Sequence, residues 1–207
     1  MENRKHTSLK DLAQALGVSI PTVSRALKDS PEISRELCAK AKALAKEMNY
    51  RPNPFAMSLR KNAPRIIGVI VPDIVTHFFA SILNGIENMA IANGYFVIIT
   101  TSHESYEHEK RNIENLVNMR VEGIIACLSQ ETTDFSHISA LKDINMPLIL
   151  FDRVCLTDQF SSVIADGAQS AQMATQHLLD NGSERVAFIG GANHLDIVKR
   201  RKHGYLE

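Results

Sequence analysis

The residues best placed to do chemistry stand close together near the front of this 207-residue chain. They are Ile20, Pro21, Thr22, Ser24 and Arg25, within the run Leu9-Lys-Asp-Leu-Ala-Gln-Ala-Leu-Gly-Val-Ser-Ile-Pro-Thr-Val-Ser-Arg-Ala-Leu27. Leu9, Leu12, Ala13 and Leu16 keep a 3.6-residue period, and Gly17 ends that helix. Ala13 is small where a second helix must cross the first. Gly17 can take the positive φ of a tight turn. Ser19 caps the second helix, and Val23 and Leu27 pack it back. The five residues are left at the exposed start of that helix, where they could reach base edges in a major groove. A generic helical hairpin has the same spacing.

Other chemistries leave no trace. No GxGxxG follows a strand, and Gly190-Gly191 alone is weak. The Ser, His and Asp residues form no nucleophile elbow, and the eight His show no HxxxH pair. Cys38, Cys127 and Cys155 are odd in number, far apart and without CxxC, which suits reduced thiols in a cytoplasm. No catalytic role, metal or cofactor is expected.

The elements that must position these residues divide the chain. Residues 1–61 carry 12 Lys/Arg against 6 Asp/Glu, and residues 62–207 carry 11 against 17. A small basic module precedes a larger acidic one, an asymmetry that hints at nucleic acid at the front. A third helix follows Ser34, with Leu37, Ala41, Leu44, Ala45 and Met48 on one face. Asn53 and Pro54 then suit the start of a very short helix to about Arg60. From Arg65 the pattern becomes strand–helix alternation. Strands are predicted at Ile66–Val71, Tyr95–Thr100, Gly123–Leu128, Leu148–Phe151, Ser162–Ala165 and Arg185–Ile189. Helices are predicted at Phe79–Asn93, Tyr106–Met119, Phe135–Asp143 and Ala168–Asn181. That is an α/β module with a parallel sheet covered on both faces. Ligands of open α/β sheets sit at strand C-termini. No apolar run approaches the ~18 residues of a membrane span, and no secretory signal is read.

Several motifs, in order, resemble the lactose/galactose repressor (LacI) family. They are Ser8-Leu-Lys-Asp-Leu-Ala13, Gly17-Val-Ser19, Thr22-Val-Ser-Arg-Ala-Leu27, Asn49-Tyr-Arg-Pro-Asn53 and Ala56-Met-Ser-Leu-Arg60. Ile67-Gly-Val-Ile-Val-Pro-Asp73, Gly94-Tyr95, Val121-Glu-Gly-Ile-Ile125, His177-Leu-Leu179 and Phe188-Ile-Gly-Gly191 continue the match. The resemblance implies a helix-turn-helix domain (1–50), a hinge helix and linker (51–63), a first effector-binding lobe (64–160) and the start of a second (161–207). The fold would be that of the periplasmic binding proteins. The function would be transcription regulation, by a homodimer on near-palindromic operator DNA, with affinity set by a small-molecule effector.

Carried over position by position, Ile20 and Pro21 read bases and Arg25 contacts a guanine. Leu9, Ser19, Thr22 and Ser24 fall at backbone-contact positions. Lys28 replaces the common Asn and suits a plain phosphate charge. The hinge adds Asn53, Ala56, Leu59 and Arg60, with Leu59 as a minor-groove wedge at the operator centre. Without the resemblance Leu59 reads as a linker residue. For the effector, the resemblance points to Phe78 and Phe79 after the first strand, Asp152-Arg153 after the fourth, and Arg201. Asp73 and Asp166 are weaker candidates. These types suit a sugar: aromatic faces for the ring, charged groups for vicinal hydroxyls. A purine or nucleoside stacked on Phe78 is the alternative. Each candidate also has a structural reading: Phe79 as core, Asp152-Arg153 as an ion pair, Arg201 as part of the basic run Lys199–Lys202. Asp196-Ile-Val198 departs from the family's small residues and puts the alignment of Arg201 in question. Family members continue well past residue 207, so the chain reads as a C-terminally truncated regulator, with an effector-blind fragment that does not close a cleft as the alternative.

Overall fold

A computed structural model of the chain describes residues 7–50 and 65–207. The chain forms two compact units, which divide between Lys61 and Asn62. The expected hinge, with Asn53, Ala56, Leu59 and Arg60, lies outside the described residues.

The first unit is three helices, α1 (Leu9–Leu16), α2 (Ile20–Ala26) and α3 (Arg35–Glu47). Ser8 caps α1 through a capping box with Asp11. Ser19 and Ser34 cap α2 and α3 by accepting from Thr22 N and Leu37 N. Each bond satisfies one of the N–H groups that a helix start leaves without a partner. Gly17 closes α1 at φ 67°, the left-handed turn that the helix junction needs. Leu12, Ala13, Val23 and Ala45 form the buried centre, so apolar positions on all three helices meet where the 3.6 period puts them.

The second unit is built on a parallel sheet of β1 (Ile66–Val71), β2 (Phe96–Thr101), β3 (Gly123–Ala126), β4 (Leu148–Phe151) and β5 (Ser161–Val163). The strand order is β2-β1-β3-β4-β5. Side chains alternate between two faces. Ile66, Ile70, Ile124, Leu148 and Leu150 meet α5 (Tyr106–Asn118) and α6 (Ser136–Asp143). Val69, Val71, Cys127 and Phe151 meet Phe79 and Leu83 of α4 (His77–Ala92). Helices α7 (Gly167–Asp180) and α8 (Asp196–Leu206) follow and pack on each other.

Two expectations change. The strand predicted at Ser162–Ala165 pairs with β4, through Leu150 against Ser162, so it extends the first sheet across the boundary expected at residue 160/161. The segment 185–189 forms no strand: no described segment pairs with it, and Ile189 is 96% exposed. A β-rich run needs a ladder partner to become a strand.

Helix α8 crosses α7 at Gly204, where an added Cβ would lie 1.9 Å from the Ala168 carbonyl oxygen. Gly204→Ala should therefore cost about 1–3 kcal/mol, because backbone cannot rotate aside. Gly85→Ala in α4, where a Cβ meets nothing within 4 Å, should gain about 0.4–1 kcal/mol. Urea unfolding of the two variants checks both signs.

Candidate functional site

In the first unit, α2 turns one face outward. Ile20, Pro21 and Arg25 on the helix, and Lys28 just after it, are exposed at one-turn spacing. Ser19 Oγ lies 2.8 Å from Thr22 Oγ1, which holds both hydroxyls at the helix start. Thr22 and Ser24 are half-buried flanks of that face, and Val23 and Ala26 are its buried side. Leu9 is half-buried and packs against the central cluster. The face carries two cations and no anion of its own. One contact was not legible beforehand: Arg25 Nη1 donates to Glu32 Oε2 at 3.0 Å, from the segment between α2 and α3.

In the second unit, the predicted residues fall into two sets. Asp73, Asp152, Arg153 and Arg201 are electrostatically linked at the C-terminal rim of the sheet. Asp152 follows β4 in the left-handed region, φ 58°. Burial pushes its carboxyl above the ordinary range, while the charges of Arg153 and Arg201 pull the other way. Arg153 is half-buried but its partner is Glu104, not Asp152: Nη1 and Nη2 donate to the two carboxylate oxygens at 2.6 and 2.9 Å. Burial would raise the Glu104 carboxyl. Hydrogen bonds from Arg153 and from Gln130 N, with the Arg153 charge, outweigh it and hold the group below its ordinary range. Asp73 lies near enough to repel Glu104, and its own Oδ1 accepts from Val75 N at 2.9 Å.

The rest of the predicted set makes other contacts. Phe79 is buried in the core, its ring 6.4 Å from that of Phe151, and offers no surface to a ligand. Phe78, half-exposed in the first turn of α4, lies edge-on to Phe79 at 5.1 Å. Asp166 caps α7 by accepting from Gln169 N. Lys199 to Lys202 lie on α8, so the basic run is spread around a helix rather than held in a loop.

The rim opens on a cleft of about 290 Å³ whose lining includes Ser129, Thr132, Arg153, His194, Lys199 and Arg200. The segment 129–132 is pinned from beneath by two carboxylates. Glu104 accepts from Gln130 N at 2.6 Å. Glu109, fully buried, accepts from Ser129 N, Thr132 Oγ1 and His137 Nε2 at 2.5, 2.9 and 2.9 Å. His194 Nε2 donates to the Gln130 carbonyl at 2.6 Å, joining the segment before α8 to this loop. A larger concavity of about 550 Å³ between α4 and β1 has no charged lining residue, only apolar ones with Asn93 and Tyr95, and suits packing better than a polar ligand. Burial pushes the Cys127 and Cys155 thiols up to about 12, so both stay protonated and unreactive near neutrality. Among the described residues no His, Cys, Asp and Glu group could hold a metal ion, and no helix is long and apolar enough to cross a membrane.

Two family models match the two units. Residues 8–53 match the bacterial regulatory proteins of the lacI family. Residues 65–207 match the periplasmic binding proteins and sugar binding domain of the LacI family. The chain belongs to the LacI family. Catabolite control protein A of Priestia megaterium is 31% identical over 207 residues, covering 98% of this chain and 62% of the relative. The ribose operon repressor of Bacillus subtilis is 32% identical over 200 residues, covering 97% and 59%. The lac repressor dimer bound to operator and the anti-inducer ONPF superimposes with a TM-score of 0.75 at 26% identity, covering 98% of this chain and 61% of that one. The chain therefore spans about three-fifths of the length of the relatives it matches.

The missed rim residue had a signal. Glu104 follows β2 just as Asp73 follows β1 and Asp152 follows β4, and the strand-end rule covers all three. Glu109 and Glu32 had none, since only the packed fold shows what their carboxylates meet.

Arg153→Ala should leave the half-buried Glu104 carboxylate with the Gln130 N–H as its donor and cost about 0.5–1.5 kcal/mol in urea unfolding, with Glu104→Gln losing less. Asp152→Asn should act in the opposite sense. A raised carboxyl binds its proton more tightly folded than unfolded. Its contribution is fully present below the ordinary carboxylate value and is lost as pH rises through the raised one. Asn also tolerates the left-handed backbone. The variant should gain on the wild type as pH rises through that window and keep a constant lead above it, which unfolding curves from pH 3 to 8 would show.

Proposed function

We propose that this chain is the DNA-binding and effector-sensing part of a cytoplasmic transcription regulator. It would act as a homodimer on a near-palindromic operator. The carrying observation is the outward face of α2, where Ile20, Pro21, Arg25 and Lys28 are exposed while the helix is locked from behind by Val23 and Ala26. An Arg fork on such a face pairs guanine O6 and N7, about 1–3 kcal/mol of discrimination. Ile20 and Pro21 suit apolar contact with a thymine methyl, and Lys28 a phosphate. The resemblance of Ala56-Met-Ser-Leu-Arg60 to the family's hinge supports Leu59 as the wedge between the two half-sites.

The effector is proposed to be a sugar at the sheet rim, held by Asp152, Arg153 and Arg201, with Asp73 and Phe78 beside them. The match to a sugar-binding family and the similarity to a ribose operon repressor support this. A purine or nucleoside is the second reading. It is favoured by the half-exposed ring of Phe78. Either ligand would act by preferring one geometry of the regulator, and so shift operator affinity through linkage.

Selection from a randomised duplex pool by the 207-residue chain should return a palindromic consensus with a central flexible step, bound with a steep salt dependence. Arg25→Ala should then relax selection at a guanine. Leu59→Ala should weaken the selected duplex and spare non-specific DNA. Equal loss on both duplexes would remove the wedge, and the absence of any consensus would remove the operator reading.

A further inference from the structure

We propose that Glu32 is a positioning residue for base reading, which acts through Arg25 and sets how strictly that side chain selects its base. The proposal rests on the DNA-binding reading and adds to it a residue outside the recognition helix.

Arg25 Nη1 donates to Glu32 Oε2 at 3.0 Å, and the two side chains are 58% and 67% exposed. A pair that wet adds little to stability, about 0–1 kcal/mol. The fold does not need it. Nor does affinity, because a carboxylate beside the reading face repels the phosphates of any duplex. A group that helps neither stability nor general affinity has one remaining effect, on the orientation of its partner. An unrestrained Arg side chain has several rotatable bonds and can turn to whichever acceptor or phosphate is nearest. Glu32 engages one terminal nitrogen only. Among the described residues no hydrogen-bond acceptor engages Nη2 or Nε on the adjoining edge, and two parallel donors on one edge are what guanine O6 and N7 require. The carboxylate thus fixes the plane of the guanidinium while leaving a bidentate edge to the base. It also penalises use of Arg25 as a simple phosphate clamp, which would pull Nη1 from its partner. Lower general affinity with higher selectivity is the expected balance.

The test compares Glu32→Ala, Glu32→Gln, Arg25→Ala and the double variant Arg25→Ala/Glu32→Ala in the 207-residue chain. The probes are the pool-selected duplex, the same duplex with its guanine replaced at the Arg25 position, and an unrelated duplex. Glu32→Ala should bind the unrelated duplex more tightly. Its preference for the selected duplex over the guanine-replaced one should fall by about two- to fivefold. Glu32→Gln keeps an oxygen acceptor for Nη1 and should retain more of that preference. In the Arg25→Ala background, Glu32→Ala should change the preference no further. If Glu32→Ala strengthens binding to all three duplexes equally, Glu32 is only a local charge and the proposal fails, with Arg25 still a base reader. If Arg25→Ala keeps the full preference, the assignment of Arg25 to a guanine fails as well. Both substitutions lie on the exposed surface, and unchanged helical circular dichroism separates these outcomes from misfolding.

Discussion

Parallel pairing of the five strands is the constraint on which the second unit depends. Because β2, β1, β3, β4 and β5 all run the same way, every strand ends on the same rim. Parallel strands need crossover connections, and the helices that make them pack on the faces of the sheet and leave the rim open. Residues from distant parts of the chain meet there without having been neighbours in sequence. Asp73, Glu104 and Asp152–Arg153 follow three different strands and share one electrostatic environment.

Charge at this rim is held rather than free. Arg153 is committed to Glu104, and two carboxylates anchor the backbone of the loop at 129–130. Asp152 differs: burial opposes its ionisation, yet the group stays in the left-handed corner after β4. Paired groups give the rim its shape, and Asp152 keeps a net cost of burial despite the charges of Arg153 and Arg201. Costs of this kind concentrate at functional sites.

The same separation of supporting and reading groups appears in the first unit. Leu12, Ala13, Val23 and Ala45 fix how α1, α2 and α3 cross, and the serine caps fix where each begins. The outward residues of α2 carry none of that burden. Their chemistry can therefore vary without loss of the scaffold.

Much of this was legible in the chain itself. Apolar periodicity, Gly17 and the Ser19 and Ser34 caps located the three helices, because short-range sterics and hydrogen bonds decide them. The strand–helix alternation showed a parallel sheet, because parallel strands need crossover helices, and the family resemblance pointed to Asp152 and Arg153, with Asp73 a weaker candidate. Tertiary structure decided everything that depends on a partner distant in sequence. It placed Phe79 in the core against Phe151, gave Arg153 to Glu104, and set Ser161–Val163 beside β4. It left 185–189 without a ladder, since β-propensity makes no strand alone. A helix cap carries its partner three residues away, within the same sequence window. A rim, a core contact or an ion pair is made of residues that only the folded chain brings within a few ångströms.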